Sequence, residues 1–228
     1  MTEFKEDKFI TKLIGFKSYI VHKTILSKSF KNLKKPFFLT VKSKKKIFFK
    51  SRIEGIKINL PSKLIYFERK FKKKVFSDLS CRDAKKKDIY KIINIAKENN
   101  LDSRFMVDKL IPNKFKKKYR SQWIKNFFNK KRGDYLFVSY QHNEILGFIL
   151  IIKKKKAFNI DLIATAKKYR KKGVATSLIN FTNNKLMKKS NSIIAGTQLN
   201  NSSAIKMYQK LGFVRKKETT FCYHIHGR

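Results

Sequence analysis

Acidic residues are scarce in this chain: 15 Asp and Glu stand against 57 Lys and Arg, a formal charge of +42. Glycine and proline are sparse as well, eight and three, which leaves no Gly/Pro/Ser-rich linker; no internal repeat is visible either. Two cysteines, Cys81 and Cys222, supply neither a zinc pattern nor a disulfide framework, and a buried reduced pair is expected. No apolar run approaches the ~20 residues of a membrane span; the longest, "ILGFILII" at 145–152, is strand-sized. The start, "MTEFKEDKF", lacks the apolar stretch of a signal peptide. These absences predict a cytoplasmic protein with no membrane insertion and no metal site.

What is present is apolar enough for a core: 42% of residues are hydrophobic, which excludes a disordered basic tail. The charge surplus has two readings. A polyanionic partner is one. The other is an A+T-rich genome, which writes Lys, Asn, Ile and Phe together. Lysines recur along nearly the whole chain ("KSKKK", "KFKKKV", "KFKKKYR", "IKKKKA"), so most of the charge is read as solvated faces. Nucleic-acid binding is then expected to be non-specific, if it occurs.

The first seventy-odd residues carry β-like runs, "PFFLTV", "KIFFKSRI", "IKINL" and "LIYFERKF", broken by the turn signals "EG" and "PS". They predict a small β-rich module over 1–74, followed by a second domain over 75–228. The latter opens on a strand, after which Ile89, Ile92, Ile93 and Ala96 fall at helical spacing behind a cap at Asp83. Phe115, Tyr119, Trp123 and Phe127 mark a second helix. Three strands follow, "DYLFVSY", "ILGFILIIK" and "AFNIDLIAT", the first two joined by the turn "HNE". Then come a helix with Val174, Leu178 and Phe181 on one stripe, the strand "SIIAGTQ", the helix "SSAIKMYQKLG" and the strand "TTFCYHIH". Tightly joined strands are antiparallel and helical crossovers demand parallel neighbours, so a mixed α/β (α+β) sheet with helices on both faces is predicted.

The stretch "YRKKGVATSLINF" at 169–181 brings a strand through a basic turn into a helix. First-turn N–H groups lack internal partners and the helix dipole adds positive charge, so anions bind there. Gly173 admits an anion close to the backbone, Ala175 keeps the next turn clear, and Arg170, Lys171 and Lys172 add charge. Downstream, Asn201, Ala204, Tyr208, Gly212 and Phe213 form "N-x-x-A-x-x-x-Y-x-x-x-G-F".

Together with "R-x-x-G-x-A", this spacing and this element order resemble the GCN5-related N-acetyltransferase (GNAT) superfamily, from about residue 75 to the end. The resemblance implies acetyl-CoA as co-substrate, its pyrophosphate held by the backbone from Lys171 to Ala175, Val174 included. It implies that the strand at Leu162 and Ile163 splays from "SIIAGTQ" to receive the pantetheine, with a backbone N–H stabilising the oxyanion. Asn201 would face the cofactor, and Tyr208 would protonate the CoA thiolate. As plain residues, Tyr208 reads as a core aromatic and Asn201 as a helix N-cap. Asp161 is either a ligand for the substrate amine or a solvated strand residue. No general base stands out. His224 and His226 share one face of the last strand, and a strand histidine is more often surface or satisfied core.

"DSRF" at 102–105, with Tyr119, Trp123 and Asn126, is similar to bacterial nucleotide-sugar N-acetyltransferases of the TDP-fucosamine type. That implies Arg104 near substrate phosphate or sugar, and Tyr119 and Trp123 lining an acceptor cleft, although both also fit a core-facing stripe. Three functions are open: acetylation of a nucleotide-linked amino sugar, acetylation of a protein or peptide amine of the ribosomal-protein type, and non-enzymatic nucleic-acid binding. The oligomeric state is open, a homodimer included.

Overall fold

The computed structural model describes residues 4–22, 30, 33–49, 53–99 and 103–228, the side chains of residues 60 and 61 apart. The N-terminal part runs β1 (Lys5–Glu6), α1 (Lys8–Ile14), β2 (Lys17–Val21), β3 (Phe37–Ser43) and β4 (Ile56–Lys70). Then follow β5 (Cys81–Asp83), α2 (Ile89–Glu98), α3 (Arg104–Val107), α4 (Asn113–Phe128), β6 (Tyr135–Gln141), β7 (Glu144–Lys153) and β8 (Phe158–Thr165). The chain ends with α5 (Val174–Leu186), β9 (Ser192–Gln198), α6 (Ser202–Lys210) and β10 (Val214–Gly227). After residue 75 this is the expected order, with the single turn of α3 added.

All the strands join one sheet in the order β1-β2-β3-β10-β4-β9-β8-β7-β6-β5. Among the described residues, only β2–β3 and β8–β9 pair in parallel. β7 is buried on both faces, which is why its sequence reads as a continuous apolar run rather than an alternating one. On one face α5 and α6 set Leu178, Ile179, Leu186 and Tyr208 against Phe67, Phe137, Ile149 and Phe158. On the other, Ile92, Ile93, Ala96 and Ile124 of α2 and α4 cover Leu136, Val138, Phe148 and Leu150. Each fully buried side chain of this size contributes about 1.5–3 kcal/mol, so the sheet is clamped from both sides.

Three expectations are corrected. The runs "IKINL" and "LIYFERKF" form one fifteen-residue strand, β4, straight through "PS". Residues 46–49 of "KIFFKSRI" are not in a strand, and its residues 50–52 lie outside the described ones. The boundary at 75 is crossed by the sheet: β4 hydrogen-bonds β10 along one edge and β9 along the other. Residues 1–74 thus supply a central strand to the same sheet as residues 75–228.

The entry to α2 also differs. Asp83 ends β5, and the cap is Asp88, whose carboxylate accepts the Lys85 N–H at 2.8 Å and pairs with Arg82 at 2.7 and 3.1 Å. These hydrogen bonds, the Arg82 one foremost, outweigh burial and hold the Asp88 carboxyl below its ordinary range.

Candidate active site

The centre of the sheet opens at β8. This strand keeps β7 as its neighbour over its whole length, but pairs with β9 only at Phe158↔Ile193, Asn159↔Ile194 and Ile160↔Ala195. β9 continues along β4 as far as Gln198. The two strands therefore part after Ile160. The register of β8 on β7 shifts there, Leu150 facing Leu162 and Ile151 facing Ile160, which makes Asp161 the extra residue of a β-bulge. A bulge bends its strand and frees a stretch of ladder. The freed edge carries Leu162 and Ile163, which line the opening.

At the end of β8 the chain turns through Lys167–Tyr169 into α5. Lys171 and Gly173 both have left-handed backbone, φ 62° and 77°. Alternating the hand of successive residues aims their N–H groups to one side, a concavity that takes anions, and the first-turn N–H groups of α5 add to it. Arg170, Lys171, Lys172 and Gly173 are exposed, Val174 is buried and Ala175 half-buried. A Cβ on Gly173 would meet nothing within 4 Å, so the mouth is open. Arg170 donates to the side chain of Asn99 at 3.0 Å, which ties the turn to α2.

Asn201 caps α6, its side chain accepting the Ala204 N–H at 3.1 Å, and it also lines the opening. Tyr208 is 3% exposed, packed on Phe67 and Phe213 at ring distances of 5.7 and 5.2 Å. Both plain readings of these residues hold, and both residues still border the cleft. Burial pushes the Tyr208 phenol well above its ordinary range, so it stays protonated. The Gln198 side-chain oxygen, at the end of β9, is buried without a partner among the described residues. A splayed strand edge and a buried lone acceptor fit the pantetheine amides of acetyl-CoA, and the left-handed turn before α5 fits its pyrophosphate.

The opening continues past β8 as a cleft of about 510 Å³ bordered by α1, α4 and β3. Its charged residues are Asp7, Lys42, Arg104, Arg120, Arg132 and Asp161. Asp161 is neither a free amine ligand nor solvated. Its carboxylate accepts Trp123 Nε1 at 2.7 Å and the Arg132 guanidinium at 2.7 and 2.6 Å. Trp123 lies between two guanidinium groups, Arg132 at 4.4 Å and Arg120 at 4.7 Å from its ring. Tyr119 is buried on Phe105, Phe115 and Trp123, yet also borders the cleft. Burial, with Arg104 close by, lowers the Lys42 ammonium from its ordinary range. Asn126 bonds Gln122 at 3.1 Å and is absent from the lining, and Asp102 lies outside the described residues.

A larger depression over the β6–β7 turn, lined by Lys91, Glu98, His142 and Lys168, includes none of the splayed edge at Leu162 and Ile163.

Asp108 is the residue that sequence reading missed. Its side chain is fully buried and accepts His224 Nδ1 at 2.6 Å and His226 Nε2 at 2.9 Å on one oxygen. The other oxygen takes the Leu110 N–H at 3.0 Å and Asn59 Nδ2 at 3.2 Å. His224 in turn lies 3.3 Å from Arg104 Nη1. Burial opposes charge on Asp108, but the two histidine hydrogen bonds outweigh it and hold the carboxyl far below its usual range. Burial pushes His224 down to about 4 despite Asp108, with Arg104 adding to the effect. Two histidines two apart on one strand face were the available signal, since a buried pair of that kind requires a polar partner.

The strand splay and the buried phenol share one cleft, and a turn with left-handed backbone at Lys171 and Gly173 follows the splayed strand. The family described as "Acetyltransferase (GNAT) domain" matches residues 92–226, and the chain belongs to that family. The spore coat polysaccharide biosynthesis protein SpsD of Bacillus subtilis is 25% identical over 139 residues, 60% of this chain and 47% of that protein. N-alpha-acetyltransferase 30 of Xenopus laevis is 32% identical over 97 residues, 40% and 35% of the two chains. This chain thus spans about half, or less, of the length of these relatives. Among solved structures, a conserved Staphylococcus epidermidis protein of unknown function superposes with a TM-score of 0.65 at 12% identity, covering 100% of this chain and 93% of that one. A GNAT-family acetyltransferase from Novosphingobium aromaticivorans gives 0.56 at 12% identity, covering 85% and 75%. Among the described residues, no helix is long and apolar enough to cross a membrane.

Proposed function

We propose that this protein transfers an acetyl group from acetyl-CoA to the primary amine of a nucleotide-linked amino sugar, of the TDP type, by direct attack in a ternary complex. The supporting observation is the charge of the acceptor arm. Lys42, Arg104 and Arg120 border it beside the Arg132–Asp161 pair, with Asp7 the one further acidic residue of the lining among the described residues. A cationic cleft draws an acceptor that carries phosphate. The relative in polysaccharide biosynthesis agrees with a sugar acceptor.

When bound, acetyl-CoA supplies the thioester that the amine attacks. The bulged edge of β8 offers a backbone N–H to the oxygen on which charge develops, and such donors need no reorganisation in the transition state. Tyr208, held protonated by burial, donates its hydroxyl to the sulfur as the C–S bond breaks. With its phenol raised above the ordinary ~10, against ~8.5 for a thiol, Tyr208 would stabilise CoA leaving as a hydrogen-bonded thiolate, and the proton released from the attacking nitrogen would pass to water. Replacing Tyr208 with Phe is expected to lower kcat about a hundredfold with little change in KM for acetyl-CoA.

The second reading is a protein or peptide amine, favoured by the N-alpha-acetyltransferase relatives. A peptide amino terminus, however, brings no phosphate to meet the cationic arm. CoA-thiol release with TDP-linked 4-amino sugars, UDP-linked amino sugars and a basic peptide tests the two. Turnover on a nucleotide sugar supports the first reading; turnover on the peptide alone replaces it with the second. Nucleic-acid retention with no acetyl-CoA binding would instead support a non-enzymatic protein on this fold.

A further inference from the structure

The Asp108 cluster lies outside the chemistry just described, yet its outlet is in the cleft. A guanidinium has only donors, so the 3.3 Å contact from Arg104 Nη1 requires His224 Nε2 to accept. The imidazole proton is then on Nδ1, where it donates to Asp108 at 2.6 Å. Phe105 stacks on His224 at 5.2 Å and lies 4.2 Å from the Arg104 guanidinium, so ring and cation are held from the side as well. Arg104 also reaches Thr40 Oγ1 at 3.4 Å. One short helix, two strands and a loop thus meet at a single guanidinium.

Asp108, His224 and His226 offer donor atoms within 4.8 Å of one another, a set that could hold a metal ion. A metal on His224 Nδ1 would move the proton to Nε2 and set two donors against each other at Arg104. The hydrogen-bonded arrangement has no such conflict.

Beside Arg104, Ser103 borders the same cleft, and its hydroxyl is buried with no partner among the described residues. A buried donor of this kind is costly unless a ligand completes it. Lys42 borders the cleft on the β3 side.

We propose that His224 and Asp108 are positioning residues that lock Arg104 into the cleft as the anchor of an anion subsite, completed by Ser103 and Lys42, for the phosphate or diphosphate of the acceptor. The subsite rests on the nucleotide-sugar reading above and is separate from the turn at 170–175.

The test is calorimetry of TDP binding with CoA already saturating, so that the turn at 170–175 is filled. Thymidine, thymidine monophosphate and inorganic pyrophosphate serve as comparison probes. TDP is expected to bind and thymidine not; the monophosphate and pyrophosphate tell whether one phosphate suffices and whether the nucleoside is needed. Arg104→Gln is expected to weaken TDP about tenfold to hundredfold, the range for charge-assisted hydrogen bonds. His224→Asn keeps an amide N–H for Asp108 but offers nothing at the Nε2 position, and should weaken TDP in the same direction while leaving CoA affinity where it was. In the Arg104→Gln background, His224→Asn should then cost nothing further, since it acts through Arg104. A purely structural role would instead lower CoA affinity too, or multiply in the double variant; either result overturns the positioning claim. TDP binding that both single variants leave untouched sinks the subsite and spares the nucleotide-sugar reading. Absence of TDP binding by the wild-type protein sinks both.

Discussion

At the scale of single residues, Asp161 shows how one side chain shapes the site without taking part in the reaction. It is the bulged residue of β8, and its carboxylate joins Trp123 and Arg132. That fixes α4 and the β6 approach against the point where the strands part. Asp161→Asn keeps the shape but removes the charge opposite Arg132. Breaking a buried pair from one side costs about 3–5 kcal/mol; with Arg132 35% exposed, a loss of about 2 kcal/mol is expected in denaturant unfolding. Unchanged stability would mean that the bulge does not depend on the pair. The turn into α5 and the buried ring of Tyr208 were legible because their spacing is local. Asp161's role was not, because its partners are 38 and 29 residues distant, and in a chain with 57 basic residues no particular arginine stands out. Asp108 was hidden in the same way, between a one-turn helix and a proline.

At the scale of elements, the close approach of β7 to α5 sets the phosphate turn. A Cβ at Gly147 would come within 2.7 Å of both the Ala164 carbonyl oxygen and Val174 Cγ1. Val174 opens α5, so Gly147→Ala pushes the anion-binding end of that helix off the sheet. Overpacking of this kind costs about 1–3 kcal/mol, and here it should also weaken CoA binding. Calorimetry on the folded variant checks this; full CoA affinity would contradict it. The helices and the β6–β7–β8 meander were readable from periods of 3.6 and 2. The place of β4 was not. Its two apolar runs look like separate strands around "PS", and nothing local says that they form one strand between β9 and β10. Strand order is a long-range property, and a period fixes which face is apolar but not which neighbour is paired.

At the scale of the molecule, the buried histidine makes stability depend on pH. Folded His224 titrates at about 4 and the free side chain at 6.5. Between these values unfolding takes up a proton, so stability falls as pH drops from 6.5 toward 4, by at most about 1.4 kcal/mol per pH unit. Asp108 and His226 face His224 from the same network and Arg104 from the cleft side. His22, lowered by burial and nearby cations, contributes in the same sense. Tm measured from pH 7 to 4 should fall less steeply for His224→Asn than for the wild type; equal slopes would show that His224 is not the group responsible.

The most direct test of the account is hydrogen exchange with and without acetyl-CoA. The splayed edge of β8 and the turn before α5 should gain protection together, in peptides covering residues 161–176, with a smaller gain around residues 198–208. The depression over the β6–β7 turn should not change. Protection confined to that depression, or no protection in 161–176 at saturating acetyl-CoA, would contradict the placement of the co-substrate between β8 and β9.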